Sequence, residues 1–228
     1  MTSAAAGRVA ALIPAAGSGT RLGADTPKAF IELNSVSLLT RCALTFSGVV
    51  DVIVVAVPDG YLLEASDHLE DIEGEVHIIE GGPDRQSSVA IALSVVPDDV
   101  DVVLVHDAAR PLVPQRVIHS VIDAVRQGAD GVVPVLPVVD TIKRVDAQGT
   151  VIETINRDSL RRVQTPQGFV RSVLDEVHED PTILATDDAG LLEVSGYRVQ
   201  TVMGDERALK ITTMDDMHIA LSYLEEQL

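Results

Sequence analysis

The feature that most restricts the fold is a recurrence of short runs rich in Val and Ile: Val9 to Ile13, Val49 to Val57, Val76 to Ile79, Val100 to Val105 and Gly131 to Val135. Apolar runs of this length without polar alternation predict strands buried on both faces, which requires a sheet covered by helices on each side. Segments with helical spacing lie between and after them, at Leu38 to Phe46, Leu62 to Ile72, Ser88 to Val95 and Gln115 to Arg126. The alternation predicts an α/β fold with a mainly parallel sheet, right-handed crossovers and helices on both faces. No internal repeat or linker interrupts it, and 228 residues suit a single domain, 1–228, of this class.

The pattern breaks after Val135. Pro134 and Pro137 punctuate a stretch that continues as Thr141 to Val145, a turn at Asp146-Ala147-Gln148-Gly149, and Val151 to Ile155, which reads as a projecting β-hairpin arm at about 137–160. A two-stranded ribbon is marginally stable in water, so it rests either on its own domain or on a second subunit. Helices are expected near Ser172 to His178 and Asp188 to Val194, a strand at Arg198 to Met203, and a closing helix from Met214 to Leu228. Asp215 and Asp216 fall in that helix's first turn and read as helix-end charge.

Composition narrows the function. Seventeen basic against 35 acidic residues give a formal net charge of −18, a surface that repels nucleic acids and anionic membranes. Three Phe, three Tyr and no Trp leave few platforms for stacking bases. A lone cysteine, Cys42, excludes an internal disulfide, suits a reducing cytoplasm, and reads as a small buried apolar residue. Met1 to Ala6 carry no positive charge and Val9 to Ile13 is too short for a signal segment or a bilayer span, so a soluble cytoplasmic protein is expected.

The chemistry gathers after the strands. Ala15-Ala16-Gly17-Ser18-Gly19-Thr20-Arg21-Leu22-Gly23 follows the first run and leads to Pro27-Lys28. A glycine-rich turn at the carboxyl end of a buried parallel strand lets backbone N–H groups approach phosphate oxygens, although such a turn can equally be a structural loop. Leu22 occupies the place where both the dinucleotide fingerprint and a Walker loop counted from Gly17 need glycine, so neither template fits. Arg21 and Lys28 add charge for a polyphosphate. Against 14 arginines there are only three lysines, Lys28, Lys143 and Lys210; either genomic bias explains this, or the remaining lysines sit where a compact ammonium is needed.

Three further groups stand out. In Val105-His106-Asp107-Ala108-Ala109-Arg110-Pro111, Asp107 ends an apolar strand and suits either a turn or a Mg²⁺ shared with phosphates. No nucleophile and supporting acid can be placed with His106, so a hydrolase triad is unsupported. Gly81-Gly82-Pro83-Asp84-Arg85-Gln86-Ser87-Ser88 follows another strand and opens a helix, as a capped turn or a cradle for a small heterocycle. Asn156-Arg157-Asp158, Gln164-Thr165-Pro166-Gln167, Thr186-Asp187-Asp188-Ala189 and Lys210-Ile211-Thr212 are each weak alone. His68, His77, His119, His178 and His218 show no metal-ligand spacing.

Ala15-Ala16-Gly17-x-Gly19-x-Arg21 with Pro27-Lys28 resembles the signature loop of nucleotidylyltransferases. With Gly81-Gly82-x-x-Arg85-x-x-Ser88-Val89, His106-Asp107-Ala108-Ala109-Arg110-Pro111, Asp140-Thr141-x-Lys143, Thr165-Pro166-Gln167 and Lys210-Ile211-Thr212, the chain is similar over nearly its whole length to the 2-C-methyl-D-erythritol 4-phosphate cytidylyltransferase family. The resemblance implies a Rossmann-like fold, transfer of CMP from CTP to methylerythritol phosphate with Mg²⁺, and a homodimer clasped by the arm. It implies that Arg21, Lys28, Arg157 and Lys210 are catalytic and that Asp107 holds the metal. Ala15, Ala16, Gly17, Gly19, Gly82, Ser88, Asp107 and Ala108 would bind the nucleotide. Arg110, Thr141, Arg157, Thr186 and Lys210 would bind the second substrate, with Thr141 and Arg157 reaching across to the partner's site. Pro83 and Ala208 depart from the family pattern, the first removing a backbone donor and the second a side chain that would orient Lys210. Rival readings are a related cytidylyltransferase acting on ribitol 5-phosphate or another sugar phosphate, a dinucleotide oxidoreductase, and a non-catalytic nucleotide-binding regulator.

Overall fold

A computed structural model describes residues 7–17, 26–180, 182–183 and 185–226. In chain order its elements are β1 (Arg8–Pro14), β2 (Glu32–Leu33), β3 (Val36–Ser37), α1 (Leu38–Phe46), β4 (Val52–Val57), α2 (Leu62–Leu69), β5 (Glu75–Glu80), α3 (Arg85–Ser94), β6 (Val100–Val105) and α4 (Gln115–Arg126). They continue with β7 (Gly131–Pro137), β8 (Ile142–Val145), β9 (Val151–Ile155), β10 (Arg161–Val163), β11 (Gln167–Val170), α5 (Arg171–His178), α6 (Asp188–Val194), β12 (Val199–Met203) and α7 (Met214–Glu225).

The central sheet runs β10-β7-β11-β6-β1-β4-β5, with β12 also paired to β7. β1 lies parallel to both β4 and β6, β4 to β5, and β12 to β7. β10 and β11 pair antiparallel with β7, and β11 also with β6. The chain therefore moves outward from β1 through β4 to β5 and then returns to the other side of β1 as β6. That reversal makes the β1/β6 carboxyl ends a topological switch point, where open α/β sheets form a crevice.

Side-chain alternation along the strands divides the core. Ala11, Ile13, Ile53, Val55 and Leu104 face α1, α2 and α4 through Phe46, Leu69 and Val121. Ala10, Leu12, Val54, Val103 and Val105 face α3, α5 and α6 through Val89, Leu174 and Leu192. Helices thus cover both faces, the α/β arrangement expected from the largely apolar runs. Each fully buried Val, Leu or Phe contributes about 1.5–3 kcal/mol. α7 closes a smaller cluster with Leu33, Leu38 and Ile211.

Several boundaries differ from those expected, for local reasons. β4 begins at Val52 because Gly48 turns the chain at φ +72° and the Val49 and Val50 amides still bond Phe46. α3 begins at Arg85, three residues early, because the Asp84 side chain accepts from the Ser87 amide as its cap. β5 is half-exposed along its length, since it closes one edge of the sheet. The antiparallel strands β10 and β11 were not expected at all. They are three and four residues long, and Pro166 lies in the gap between them, so neither leaves an apolar run to read. In α7, Asp216 completes a capping box with Thr213 rather than serving only as helix-end charge.

The arm is a two-stranded sheet of its own, β8 with β9. Lys143 Nζ donates to Thr154 Oγ1 at 2.6 Å and Arg144 pairs with Glu153 at 3.2 Å across it. Val139, Val145, Val151 and Ile152 are 51–67% exposed on it, so within this chain the hairpin does not bury its apolar side chains against the domain.

Candidate active site

Parallel strands bring their carboxyl ends to one rim of the sheet, and the antiparallel β11 brings its amino end there too. The loops after β1, β5, β6 and β12 and the segment before β11 therefore converge without any of them being adjacent in sequence. They enclose a cavity of about 500 Å³ lined by Ala15, Ala16 and Gly17 after β1, by Lys28, by the Gly82–Ser88 turn, by Asp107 and Ala108 after β6, and by Lys210. A side pocket of about 180 Å³ shares Arg85, Asp107 and Lys210 and adds Arg110, Gln164, Thr165, Gln167, Thr186 and Asp187. The fragments that were weak singly, around Thr165, Thr186 and Lys210, meet in this one place.

Asp107 is the electrostatic centre. Lys210 Nζ lies 2.9 Å from its Oδ2, Arg85 Nε 3.4 Å from Oδ1, and Arg110 Nε 3.6 Å from Oδ2. Burial alone would raise this carboxyl, but Lys210, Arg85 and Arg110 outweigh it and hold it well below the ordinary carboxylate range. In a chain of formal charge −18, this rim sets three cations around one carboxylate.

Backbone contacts hold the cluster together. Thr165 Oγ1 accepts from the Asp107 amide at 3.1 Å and shares a 3.0 Å bond with His106 Nδ1. His106 Nε2 donates to the Arg110 carbonyl at 3.1 Å. A carbonyl only accepts, so the proton sits on Nε2 and Nδ1 accepts from the Thr165 hydroxyl. Burial pushes the His106 imidazole down to about 4. His106 is thus a neutral strut under the Asp107 turn, consistent with the missing triad.

The departure at Ala208 has a structural answer, and nothing in the structure explains Pro83. Arg110 Nη1 donates to the Ala208 carbonyl at 2.7 Å, and the Ile211 amide donates to the Ala109 carbonyl at 2.9 Å. Lys210 is therefore delivered by backbone on either side of it, and no side chain at position 208 is needed. At the other turn, the Gly82 amide donates to Ser88 Oγ at 3.1 Å, while the Ser88 hydroxyl donates to the Asp84 carbonyl at 2.8 Å. Ser88 lines the cavity but its hydroxyl braces the turn. A Cβ on Gly82 would lie 2.5 Å from Ser87 Cβ, so this close approach requires glycine.

Ala15, Ala16, Gly17, Lys28, Gly82, Ser88, Asp107, Ala108 and Lys210 all line the main cavity, and Arg110 and Thr186 the side pocket. Gly19 and Arg21 lie outside the described residues. Thr141 and Arg157 line neither space. Arg157 sits in the single turn Arg157–Ser159 beneath the arm, with its guanidinium on the Val139 carbonyl. Sequence reasoning quoted Arg85 only as part of a motif and gave it no role. Its signal was its place, opening a helix directly after a glycine turn at a strand end.

Asp107 is the carboxylate suited to a divalent ion. Among the described residues no group of three or more His, Cys, Asp or Glu side chains gathers as a metal cage. One buried carboxylate with the remaining ligands from phosphates and water is the donor set of a metal that arrives with a nucleotide.

Residues 9–226 match the family model described as IspD, 2-C-methyl-D-erythritol 4-phosphate cytidylyltransferase. A 2-C-methyl-D-erythritol 4-phosphate cytidylyltransferase from Rhodococcus jostii is 48% identical over 222 residues, 96% of each chain. Two solved structures share the fold. The 4-diphosphocytidyl-2C-methyl-D-erythritol synthase of Anaerococcus prevotii superposes with TM-score 0.85 at 28% identity, covering 96% of this chain and 99% of its own. The 2-C-methyl-D-erythritol 4-phosphate cytidylyltransferase of Thermus thermophilus gives TM-score 0.79 at 35% identity with the same coverage.

Proposed function

The chain belongs to the 2-C-methyl-D-erythritol 4-phosphate cytidylyltransferase family, and from that premise we propose how its rim performs the reaction. It is a nucleotidyltransferase that transfers CMP from CTP to 2-C-methyl-D-erythritol 4-phosphate, releasing pyrophosphate and forming the CDP-alcohol. A phosphate oxygen of the second substrate attacks the α-phosphorus of CTP in line with the departing pyrophosphate, so one P–O bond forms as another breaks. A phosphate monoester has its second pKa near 6 and is ionised at neutral pH, so no general base is required. His106 is accordingly left neutral and buried.

The obstacle is repulsion, since two like unit charges about 4 Å apart cost roughly 4 kcal/mol at an effective dielectric near 20. Lys28 meets the triphosphate, a role the family resemblance also gives Arg21; Lys210 and Arg110 receive the second phosphate beside Thr186. Ala15, Ala16, Gly17, Gly19, Gly82, Ser88 and Ala108 form the nucleotide's bed. Asp107 would hold Mg²⁺, whose charge, when it is bound, offsets that developing on the phosphates. The protein's part is positioning and fixed charge.

The 228 residues act as one domain carrying a dimerisation arm at about 137–160, and the enzyme is a cytoplasmic homodimer. The exposed Val139, Val145, Val151 and Ile152 support this, because a second subunit would cover them. Thr141 and Arg157, which do not line this chain's own cavity, then serve the partner's site. Among the described residues no helix is long and apolar enough to cross a membrane.

The observation that carries the reading is Asp107 clasped by Lys210, Arg85 and Arg110 at the mouth of a 500 Å³ cavity. Its test is pyrophosphate release from methylerythritol phosphate with each of four nucleoside triphosphates and Mg²⁺. Release with CTP that is lost in Asp107→Asn and Lys28→Ala is expected; equal use of all four nucleotides, or preference for ribitol 5-phosphate, overturns it.

A further inference from the structure

Beside the cavity lies a carboxylate that this mechanism leaves unused. Asp188, the first residue of α6, is 1% exposed. Arg85 Nη1 is 2.7 Å from its Oδ2 and His178 Nε2 is 3.3 Å from its Oδ1; beyond these two contacts neither oxygen has a hydrogen-bond partner among the described residues. Burial alone would raise the Asp188 carboxyl, but His178 and Arg85 hold it below its usual range. A buried charge so sparsely supported is costly and does little for stability that an apolar residue would not do better.

Its place in the fold is fixed from β11. Gln167 Nε2 donates to Asp187 Oδ2 at 2.6 Å, and Gln167 Oε1 accepts from the Ala189 amide at 3.1 Å. These bonds pin the first turn of α6 to the sheet rim, so Asp188 is a rigid anchor. Arg85 stands between it and the reaction centre, with Nη1 on Asp188 and Nε 3.4 Å from Asp107 Oδ1. An arginine at the start of a helix beside an open cavity has many rotamers, and with Asp107 as its only anchor it would be drawn to the incoming triphosphate. Two carboxylates on two edges of the planar guanidinium remove that freedom.

We propose that Asp188 is a positioning residue for nucleotidyl transfer: it clamps Arg85 so that Asp107 presents its carboxylate to the substrates in one orientation. The inference rests on the cytidylyltransferase reading, because it concerns the use of Asp107 in that reaction.

The test uses the full-length protein. Asp188→Asn keeps the shape and removes the charge; with an unchanged melting temperature, kcat should fall about 10- to 100-fold, the usual effect of losing a support behind a ligating group. KM for CTP should move less than about threefold, since the cavity's own groups remain. Asp188→Glu should recover most of the rate. In an Arg85→Ala background the same Asp188→Asn change should cost less than about twofold, because its only route has been removed. Wild-type kcat in a folded Asp188→Asn protein, or an equal loss in both backgrounds, overturns the proposal. Should Asp188→Asn fail to fold, Arg85→Lys replaces it: an ammonium cannot bridge two carboxylates on separate edges, so about a tenfold loss of kcat is expected and a wild-type rate overturns the clamp. The two readings fail differently. No pyrophosphate release by the unmutated protein sinks the parent reading, whereas an active parent with an indifferent position 188 sinks only this one.

Discussion

Lowering the pH should destabilise this protein through one side chain, His106. It is wholly buried, with Nε2 donating to the Arg110 carbonyl, Nδ1 meeting the Thr165 hydroxyl, and the Phe46 ring 4.9 Å away edge-on. Burial lowers its pKa from 6.5 to about 4. The unfolded chain therefore takes up a proton as pH falls through 6.5, while the folded chain resists until about 4, and the fold loses stability across that window. The separation sets the size: on the order of 1 kcal/mol is lost by pH 5.5, approaching about 3 kcal/mol near pH 4. Urea denaturation at half-unit pH steps measures it, with His106→Gln as the reference that cannot titrate. The other five histidines are present in both proteins and cancel in the difference. The wild-type curve should descend more steeply than the variant's between pH 6.5 and 4 and run parallel to it above pH 7.5. Parallel curves throughout would refute the neutral, buried strut and reopen a proton-carrying role for His106.

Other expectations follow from the same geometry. Lys210→Ala removes an exposed ammonium 2.9 Å from Asp107, so kcat/KM should fall about 10²- to 10³-fold with an almost unchanged melting temperature; a large loss of stability instead would make Lys210 structural. Gly168→Ala drives a Cβ into Val121 Cγ1 and to 3.1 Å from Leu104 Cδ2, which should destabilise by about 1–3 kcal/mol in urea titration while the folded fraction keeps its kcat. Mixing Arg157→Ala with Lys28→Ala chains should restore activity in a fraction of the dimers if the arm serves the partner's site; no recovery on mixing counts against sharing.

How far the sequence reveals this molecule depends on the range of the interaction read. β1, β4 and β6 were legible because a strand buried on both faces is largely apolar, Asp107 because it closely follows such a strand, and Lys28 because it comes with Pro27 after the glycine-rich segment that follows β1. β10 and β11 were not, since strands of three and four residues beside a proline carry no periodicity. The arm was legible as a hairpin from its glycine-containing turn, but its lack of cover within the chain was not. Asp188 stood only in a fragment weak by itself at the start of an expected helix, and its contact with Arg85 joins segments that only the sheet order brings together. Ser88 lines the cavity, yet the internal role of its hydroxyl depends on the exact path of the Gly82 turn.

In the proposed reaction a nucleoside triphosphate and a phosphate monoester meet at the carboxyl rim of β1 and β6 under the cations around Asp107. A crystal structure of the protein with CTP and Mg²⁺ tests it most directly. The account predicts the cytosine between the Ala15–Gly17 and Gly82–Ser88 segments, the triphosphate against Lys28, and the ion within coordination distance of Asp107. CTP bound elsewhere, or bound here with Asp107 still fully paired to Lys210, Arg85 and Arg110 and no ion beside it, would contradict it.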